Sequence, residues 1–131
     1  MTRKTIVFAA LLVAVAACDG NGSSSTPTTP TPPGAPGPSG ATITILANGT
    51  LSTSVVDINA GQSVTIINQD SRNHELSSDP HPSHVDCPQF DVLTAPGQTR
   101  VSNALPVVKN CGFHDHLNAS NPSLIGTIRV H

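Results

Sequence analysis

Short runs of alternating apolar and polar residues constrain the fold of this chain more than any other feature. The clearest runs cover residues 42–46, 54–58, 63–68, 98–102 and 126–130. Each is rich in β-branched residues and stops at Gly, Asn or Pro, and no window of ten residues has a helical period. Many short strands with turns about ten residues apart predict an all-β fold, an antiparallel β-sandwich.

The core of such a domain must consist mainly of Val, Ile and Leu. The chain has no Trp or Tyr, and its three Phe residues are Phe8, Phe90 and Phe113. Phe8 lies in an apolar N-terminal run that we interpret as a signal peptide. A small domain with so few large side chains benefits from a cross-link or a bound ion.

The N-terminus has the features of a secretion signal. Arg3 and Lys4 precede an apolar run, 6–15, that is too short for a permanent membrane span. Small residues followed by Cys18 resemble the bacterial lipobox, which implies a signal peptide at 1–17 and a lipidated Cys18. The alternative is an ordinary signal peptide with a chance Cys. The resemblance implies a bacterial envelope location on the extracytoplasmic side, periplasm or outer membrane, with membrane contact through the lipid only.

Composition divides the remaining chain in two. Residues 18–40 are dense in Pro, Ser, Thr and Gly and predict a disordered tether. One domain, 41–131, is then expected. It carries seven acidic and four basic side chains, a balance that argues against nucleic acid or an anionic membrane surface as a partner.

Histidine clustering is the strongest functional signal. Five of the six histidines lie in two short segments, NHELSSDPHPSH and CGFHDH, in a chain with only 11% charged residues. Neutral imidazole is a common ligand for copper, zinc and iron. The pattern predicts a metal site, and the C-terminal His131 is expected to be solvated and without a role.

Several segments resemble the cupredoxins, which are Greek-key sandwiches that hold copper at one end. The resemblance rests on INAGQSVTIINQDSRNHELSSDP, APGQT, CGFHDHLN and GTIRV, and it covers nearly all of 41–131. It implies a first ligand at His74 and further ligands in the segment 111–124. Copper is the expected ion, with zinc possible.

The blue-copper pattern is only partly present. Cys111-Gly112-Phe113-His114 has the expected Cys–His spacing, but Leu124 stands where an axial Met would be expected, and Cys111 lies far from Gly126. GFHDHLN also resembles the His-x-His copper ligands of multicopper oxidases and of small cupredoxin-like proteins that carry a DPHPxH segment.

Strand geometry favours a site built from imidazoles. His114 and His116, two residues apart, would project from one face of a strand, with Asp115 on the other. With His74 they would give three nitrogens, a set that suits Cu(II) or Zn(II). His81 and His84 could supply a fourth ligand, a second ion or a gate.

Carboxylates near these histidines have candidate roles too. Asp79 and Glu75 could orient ring N–H groups. Asp115 could itself become a ligand if its loop rotated.

Two interpretations of the cysteines remain open. The small proteins with DPHPxH often carry aromatics where this chain has Cys87 and Cys111, which suggests that the two positions touch and form a disulfide. Such a bond would close a loop of about 24 residues and stabilise the fold by roughly 3 kcal/mol. The alternative is that Cys111 is a thiolate copper ligand and Cys87 is free.

Four functions are compatible with these features. The first is an envelope-anchored copper-binding protein that sequesters, delivers or buffers copper, with a redox or copper-delivery protein as partner. The second is a blue-copper electron-transfer protein that uses His74, Cys111 and His114. A small copper enzyme and a structural module without metal are the others; we expect binding or electron transfer rather than catalysis.

Overall fold

The computed structural model describes residues 36–131, whose regular structure consists of strands and two short 3₁₀ helices. The strands are β1 (Ser39–Ile45), β2 (Val55–Ile58), β3 (Ser63–Asn68), β4 (His74–Ser78), β5 (Asp91–Thr94), β6 (Thr99–Val101), β7 (Asn110–Asp115) and β8 (Gly126–Val130). The 3₁₀ helices His116–Asn118 and Pro122–Leu124 both lie between β7 and β8. Within this range no helix combines the length and the apolar character needed to cross a membrane.

Two sheets pack against each other. One has the strand order β1-β3-β6, and the other has the order β2-β8-β7-β4-β5. The all-β sandwich predicted from the alternating runs is confirmed. Two pairings, β1 with β3 and β2 with β8, are parallel, whereas the other four are antiparallel. The consecutive strands β1 and β2 belong to different sheets, so neither can pair with the other in a hairpin, and each joins the edge of its own sheet.

The core lies between the sheets and is mostly aliphatic, as the composition predicts. Burial of each large apolar side chain contributes about 1.5–3 kcal/mol. The fully buried aliphatic residues include Ile43, Ile45, Val64, Ile66, Leu76, Leu105, Leu124 and Ile128. Phe90 and Phe113 pack together with ring centroids 5.4 Å apart.

The alternating runs correspond to five strands: β1, β2, β3, β6 and β8. The structure adds β4 and β5, and it gives β7 bounds that the pattern did not supply. β1 begins at Ser39, two residues before the expected domain start, and the Pro38 carbonyl accepts a hydrogen bond from the Ser63 amide. The predicted signal peptide, Cys18 and most of the predicted tether lie outside the described residues.

Candidate metal site

Four imidazoles converge at one place on the larger sheet. One ring nitrogen from each lies within 4.8 Å of the others, and the four residues are His81, His84, His114 and His116. His114 is buried, His84 and His116 are half-buried, and His81 is exposed. The cluster therefore reaches from the interior to the surface.

Two neighbouring strands and the segments that follow them position the four rings. β4 ends at Ser78, and the loop that follows it carries His81 and His84; β7 carries His114. β4 and β7 pair antiparallel, with Ser78 opposite Phe113, so the end of β4 lies beside the histidine end of β7. The two histidine segments, about 30 residues apart in sequence, thereby become neighbours.

Buried Ser78 fastens the histidine loop to the sheet. Its hydroxyl donates to the His84 carbonyl at 3.0 Å and accepts from the Cys87 amide at 3.1 Å. The His84 amide also donates to the Pro80 carbonyl at 2.8 Å. His84 itself has a φ of +49°, a left-handed conformation that His adopts more readily than most residues but at some cost in energy.

His114 is arranged as a ligand would be. Its Nδ1 lies 2.6 Å from the Asp79 carboxylate, which can only accept when ionised, so in the neutral ring Nδ1 carries the proton and Nε2 does not. That Nε2 is buried and makes no hydrogen bond within the described part of the chain. A carboxylate on the far nitrogen fixes the ring and raises its basicity, the usual arrangement around metal-ligating histidines. The role expected for Asp79 agrees with this contact, whereas the Glu75 side chain makes no hydrogen bond to a histidine.

The spacing of the rings suits a single ion. The His116 Nδ1 and His84 Nε2 atoms are 3.1 Å apart, close to the ~3.3 Å between two nitrogens on a tetrahedral ion at about 2.0 Å bonds. Five ring pairs in the cluster have centroids 4.8–5.8 Å apart. The widest separation allowed within the cluster is 4.8 Å, so two such nitrogens would have to approach to about 4 Å if they lay opposite each other on the ion, or to about 3.3 Å on a tetrahedral ion.

The cluster lowers the basicity of its exposed member. The pKa of His81 is lowered from its ordinary 6.5, first by partial loss of hydration and then by repulsion from the rings of His116, His114 and His84. A lowered pKa keeps His81 neutral over more of the physiological range. Neutral imidazole is the form that binds metal.

His74 does not join this cluster. It is the first residue of β4 and is buried, and its Nδ1 and Nε2 atoms lie 2.9 Å from the carboxylates of Asp115 and Asp70 respectively. The structure therefore does not bring together the expected trio of His74, His114 and His116. Instead, His114 and His116 lie beside the two histidines of the DPHPSH segment.

Asp115 points away from the four rings, as the strand periodicity predicts. β7 ends at this residue, whose carboxylate accepts hydrogen bonds from the amides of Glu75 and Leu117. Its other oxygen lies 2.9 Å from the His74 Nδ1 atom. His116 belongs to the 3₁₀ helix that follows rather than to the strand. The pairing of His114 with His116 in one site therefore depends on a strand-to-helix turn, whereas the prediction assumed a continuous strand.

Cys87 and Cys111 form a disulfide, which confirms the first of the two expected alternatives. Their Cα atoms are 5.9 Å apart, and Cys111 is fully buried. A sulfur committed to a disulfide is not a thiolate, so the interpretation of Cys111 as a copper ligand does not describe this state of the protein.

Asp70 is a partner of His74 that the sequence analysis did not identify. Its carboxylate accepts hydrogen bonds from His74, the Ser71 amide and Arg72. These contacts, with that of His74 the largest, lower its pKa from 3.8 to about 2, and burial opposes the shift. The i, i+4 spacing of Asp70 and His74 was the one available signal, and it has little specificity outside a helix.

Comparison with solved structures identifies the fold. The chain is similar to a purple cupredoxin from Nitrosopumilus maritimus, with a TM-score of 0.55 and 20% identity over 70% of this chain and 99% of the other. It is similar to a mutant of amicyanin in its Cu(I) form, with a TM-score of 0.55 and 15% identity over 70% and 82%. A mutant fern plastocyanin gives a TM-score of 0.54 and 13% identity over 69% and 99%.

No protein-family model and no curated protein matches the chain. These similarities show that about 70% of the chain adopts the cupredoxin fold, as the sequence resemblance predicts.

Proposed function

We propose that this protein binds copper through His81, His84, His114 and His116 and serves to hold or hand on copper at the cell envelope. The observation that carries the proposal is the convergence of four ring nitrogens within 4.8 Å of one another. The buried Nε2 of His114, oriented by Asp79 and lacking a hydrogen bond, adds a second reason to expect an ion there.

The donor set favours copper. Four imidazoles suit Cu(II) and Zn(II), and at a given nitrogen site divalent copper binds more tightly than zinc. The fold supports the same choice, since one similar structure is called a purple cupredoxin and another contains Cu(I). Zinc remains the competing ion for an all-nitrogen site.

Copper handling is the better-supported use of the site. The alternative, blue-copper electron transfer with Cys111 as a ligand, requires a thiolate that the disulfide does not supply. An all-imidazole site also lacks the thioether that completes the usual blue-copper set. Electron transfer through a different ligand set is the second candidate, and the cupredoxin fold is the observation in its favour.

The envelope location is inferred from the N-terminal sequence. Arg3 and Lys4, the apolar run and Cys18 support export and lipidation. A disulfide suits an oxidising compartment outside the cytoplasm. The protein would then reach copper on the extracytoplasmic side, with a copper-delivery or redox protein as its partner.

Copper titration of the metal-free protein tests the proposal. We expect one Cu(II) per chain, a weak broad visible absorption without an intense charge-transfer band, and an electron paramagnetic resonance spectrum with nitrogen ligands. Affinity should fall as the pH drops below about 6.5, because protons compete for the imidazoles.

Two alanine variants provide the contrast. His114→Ala should weaken copper binding by more than the roughly 10–100-fold that loss of a ligand's hydrogen-bond partner costs. His131→Ala, in which the lost ring is exposed and pairs with Asp57 alone among residues 36–131, should match the parent. Equal copper affinity of His114→Ala and the parent would remove the proposal. Loss of the bound copper from the parent on dialysis would remove it as well.

A further inference from the structure

A buried carboxylate–imidazole–carboxylate chain lies behind the metal cluster. The His74 ring is 3% exposed, and the two aspartates it contacts, Asp70 and Asp115, are 6% and 1% exposed. Both contacts are 2.9 Å long, one at each ring nitrogen. Because each nitrogen already meets a carboxylate, neither is free to hold an ion.

This carboxylate–imidazole–carboxylate arrangement ends at Asp115, the residue between two of the proposed ligands. Asp115 follows His114 and precedes His116. One oxygen of Asp115 contacts the His74 ring, and the other accepts hydrogen bonds from the Leu117 amide at 3.2 Å and the Glu75 amide at 3.0 Å. The contact with Leu117 caps the 3₁₀ helix that begins at His116.

His116 depends on its backbone for placement more than His114 does. Asp79 holds the His114 ring directly, whereas the only side-chain partner of His116 among the described residues is another proposed ligand, His84. The position of the His116 ring is therefore set largely by the turn that Asp115 caps. A ligand displaced by about 1 Å is enough to spoil a preorganised site.

We infer that His74 is a positioning residue: clamped between Asp70 and Asp115, it fixes the turn that sets the His116 ring in the four-histidine site. The inference rests on the proposed copper site and extends it to a residue that touches no ion. Removing His74 would leave one oxygen of the buried Asp115 carboxylate without its side-chain partner, while the other oxygen keeps the amides of Glu75 and Leu117. A buried oxygen without a partner is costly unless the turn rearranges.

His74→Leu tests this role with two readouts. We expect copper affinity about 10–100-fold below that of the parent, as for other hydrogen-bond partners behind a ligand. The number of coordinated imidazoles in the electron paramagnetic resonance spectrum should be unchanged. In the metal-free protein, the nuclear magnetic resonance signals of the His116 ring and the Leu117 amide should shift.

His131→Leu is the matched control, since His131 also pairs with a carboxylate, Asp57, but is 61% exposed. It should leave both readouts as in the parent. A folded His74→Leu protein with the parent's affinity and the parent's His116 signals overturns the inference. Loss of one coordinated imidazole also overturns it, because His74 would then be a ligand.

Asp115→Asn decides the matter if His74→Leu does not fold. The amide oxygen can still cap the turn, but the carboxylate that holds His74 is gone, so we again expect shifted His116 signals. Unshifted signals would overturn the inference. If the parent binds no copper, the proposed function fails, while the signals of the metal-free protein still test the role of His74.

Discussion

At the residue scale, the fit between Asp79 and Gly112 decides how His114 is held. A Cβ atom on Gly112 would collide with the Asp79 carboxylate, so glycine there allows the carboxylate to approach β7. The Asp79 amide donates to the Gly112 carbonyl at 2.9 Å, and its side chain reaches His114. The glycine in Cys-Gly-Phe-His therefore has a packing reason that the sequence alone did not provide.

Asp79→Asn should weaken copper binding by roughly 10–100-fold, because a neutral amide holds and polarises the His114 ring less well than a carboxylate. Competition with a chelator of known affinity measures the change. Asp86→Asn is the control within the same loop: its carboxylate is 45% exposed and pairs with Lys109. Similar losses in both variants would show that loop charge, and not the contact with His114, sets the affinity.

At the scale of elements, the disulfide joins the two halves of the site. Cys87 lies three residues after His84, and Cys111 lies three residues before His114. The bond therefore ties the loop after β4 to β7 close to the proposed ligands on both sides. It also restricts the unfolded chain, in which the two cysteines are 24 residues apart.

Replacement of both cysteines by alanine should lower the free energy of unfolding by about 3 kcal/mol, as urea denaturation would measure. Copper affinity should fall as well, because the histidine loop gains freedom relative to β7. Titration of free thiols in the unreduced parent should find none in the domain. An unchanged copper affinity in a folded double variant would show that the noncovalent contacts of the loop, such as those of Ser78 and Asp79, suffice to hold it.

The burial pattern of β4 explains why the sequence did not predict this strand. β2 alternates exposed and buried residues in the expected way, whereas β4 has three consecutive buried residues, Leu76, Ser77 and Ser78. The two serines can be buried because their hydroxyls have hydrogen-bond partners. The Ser78 hydroxyl donates to the His84 carbonyl, and the Ser77 hydroxyl donates to the Asp91 carboxylate. A strand whose polar residues are buried for such contacts has no period of two to detect.

The ligands of the candidate site were predictable from the sequence, but the contacts that His74 makes behind them were not. The histidine segments and the resemblance indicated a metal, and they named all four residues that converge. They did not indicate that His74 faces Asp70 and Asp115, since one partner lies 41 residues away. Contacts of that kind depend on the register of β4 against β7, in which Leu76 pairs with Asp115, and single-sequence patterns do not contain it.

At the scale of the whole molecule, the buried Asp70 makes folding stability depend on pH in the acid range. Its pKa is about 2 in the folded protein and 3.8 ordinarily, chiefly because His74 donates to it. A lowered folded-state pKa means that the unfolded chain binds the proton more readily. The stabilisation is therefore present above about pH 4 and is lost as the pH falls towards 2.

Asp70→Asn should flatten this part of the stability profile. Urea unfolding at several pH values between 2 and 6 would compare the slope of the free energy of unfolding in the parent and the variant. Asp57→Asn, at a carboxylate that is 56% exposed, is the control and should keep the parent's slope. A variant slope equal to that of the parent would assign the acid sensitivity to other carboxylates.

Because exposure decreases from His81 to His114, a metal ion would enter and leave the four-histidine cluster from one side. The His114 nitrogen is sealed beneath the surface, while His81 stands in solvent at the outer rim. An incoming ion would shed its water stepwise, meeting the outer ring first and the sealed one last. Departure would reverse that order, so a copper donor or acceptor of the kind proposed above would meet the ion on the His81 side.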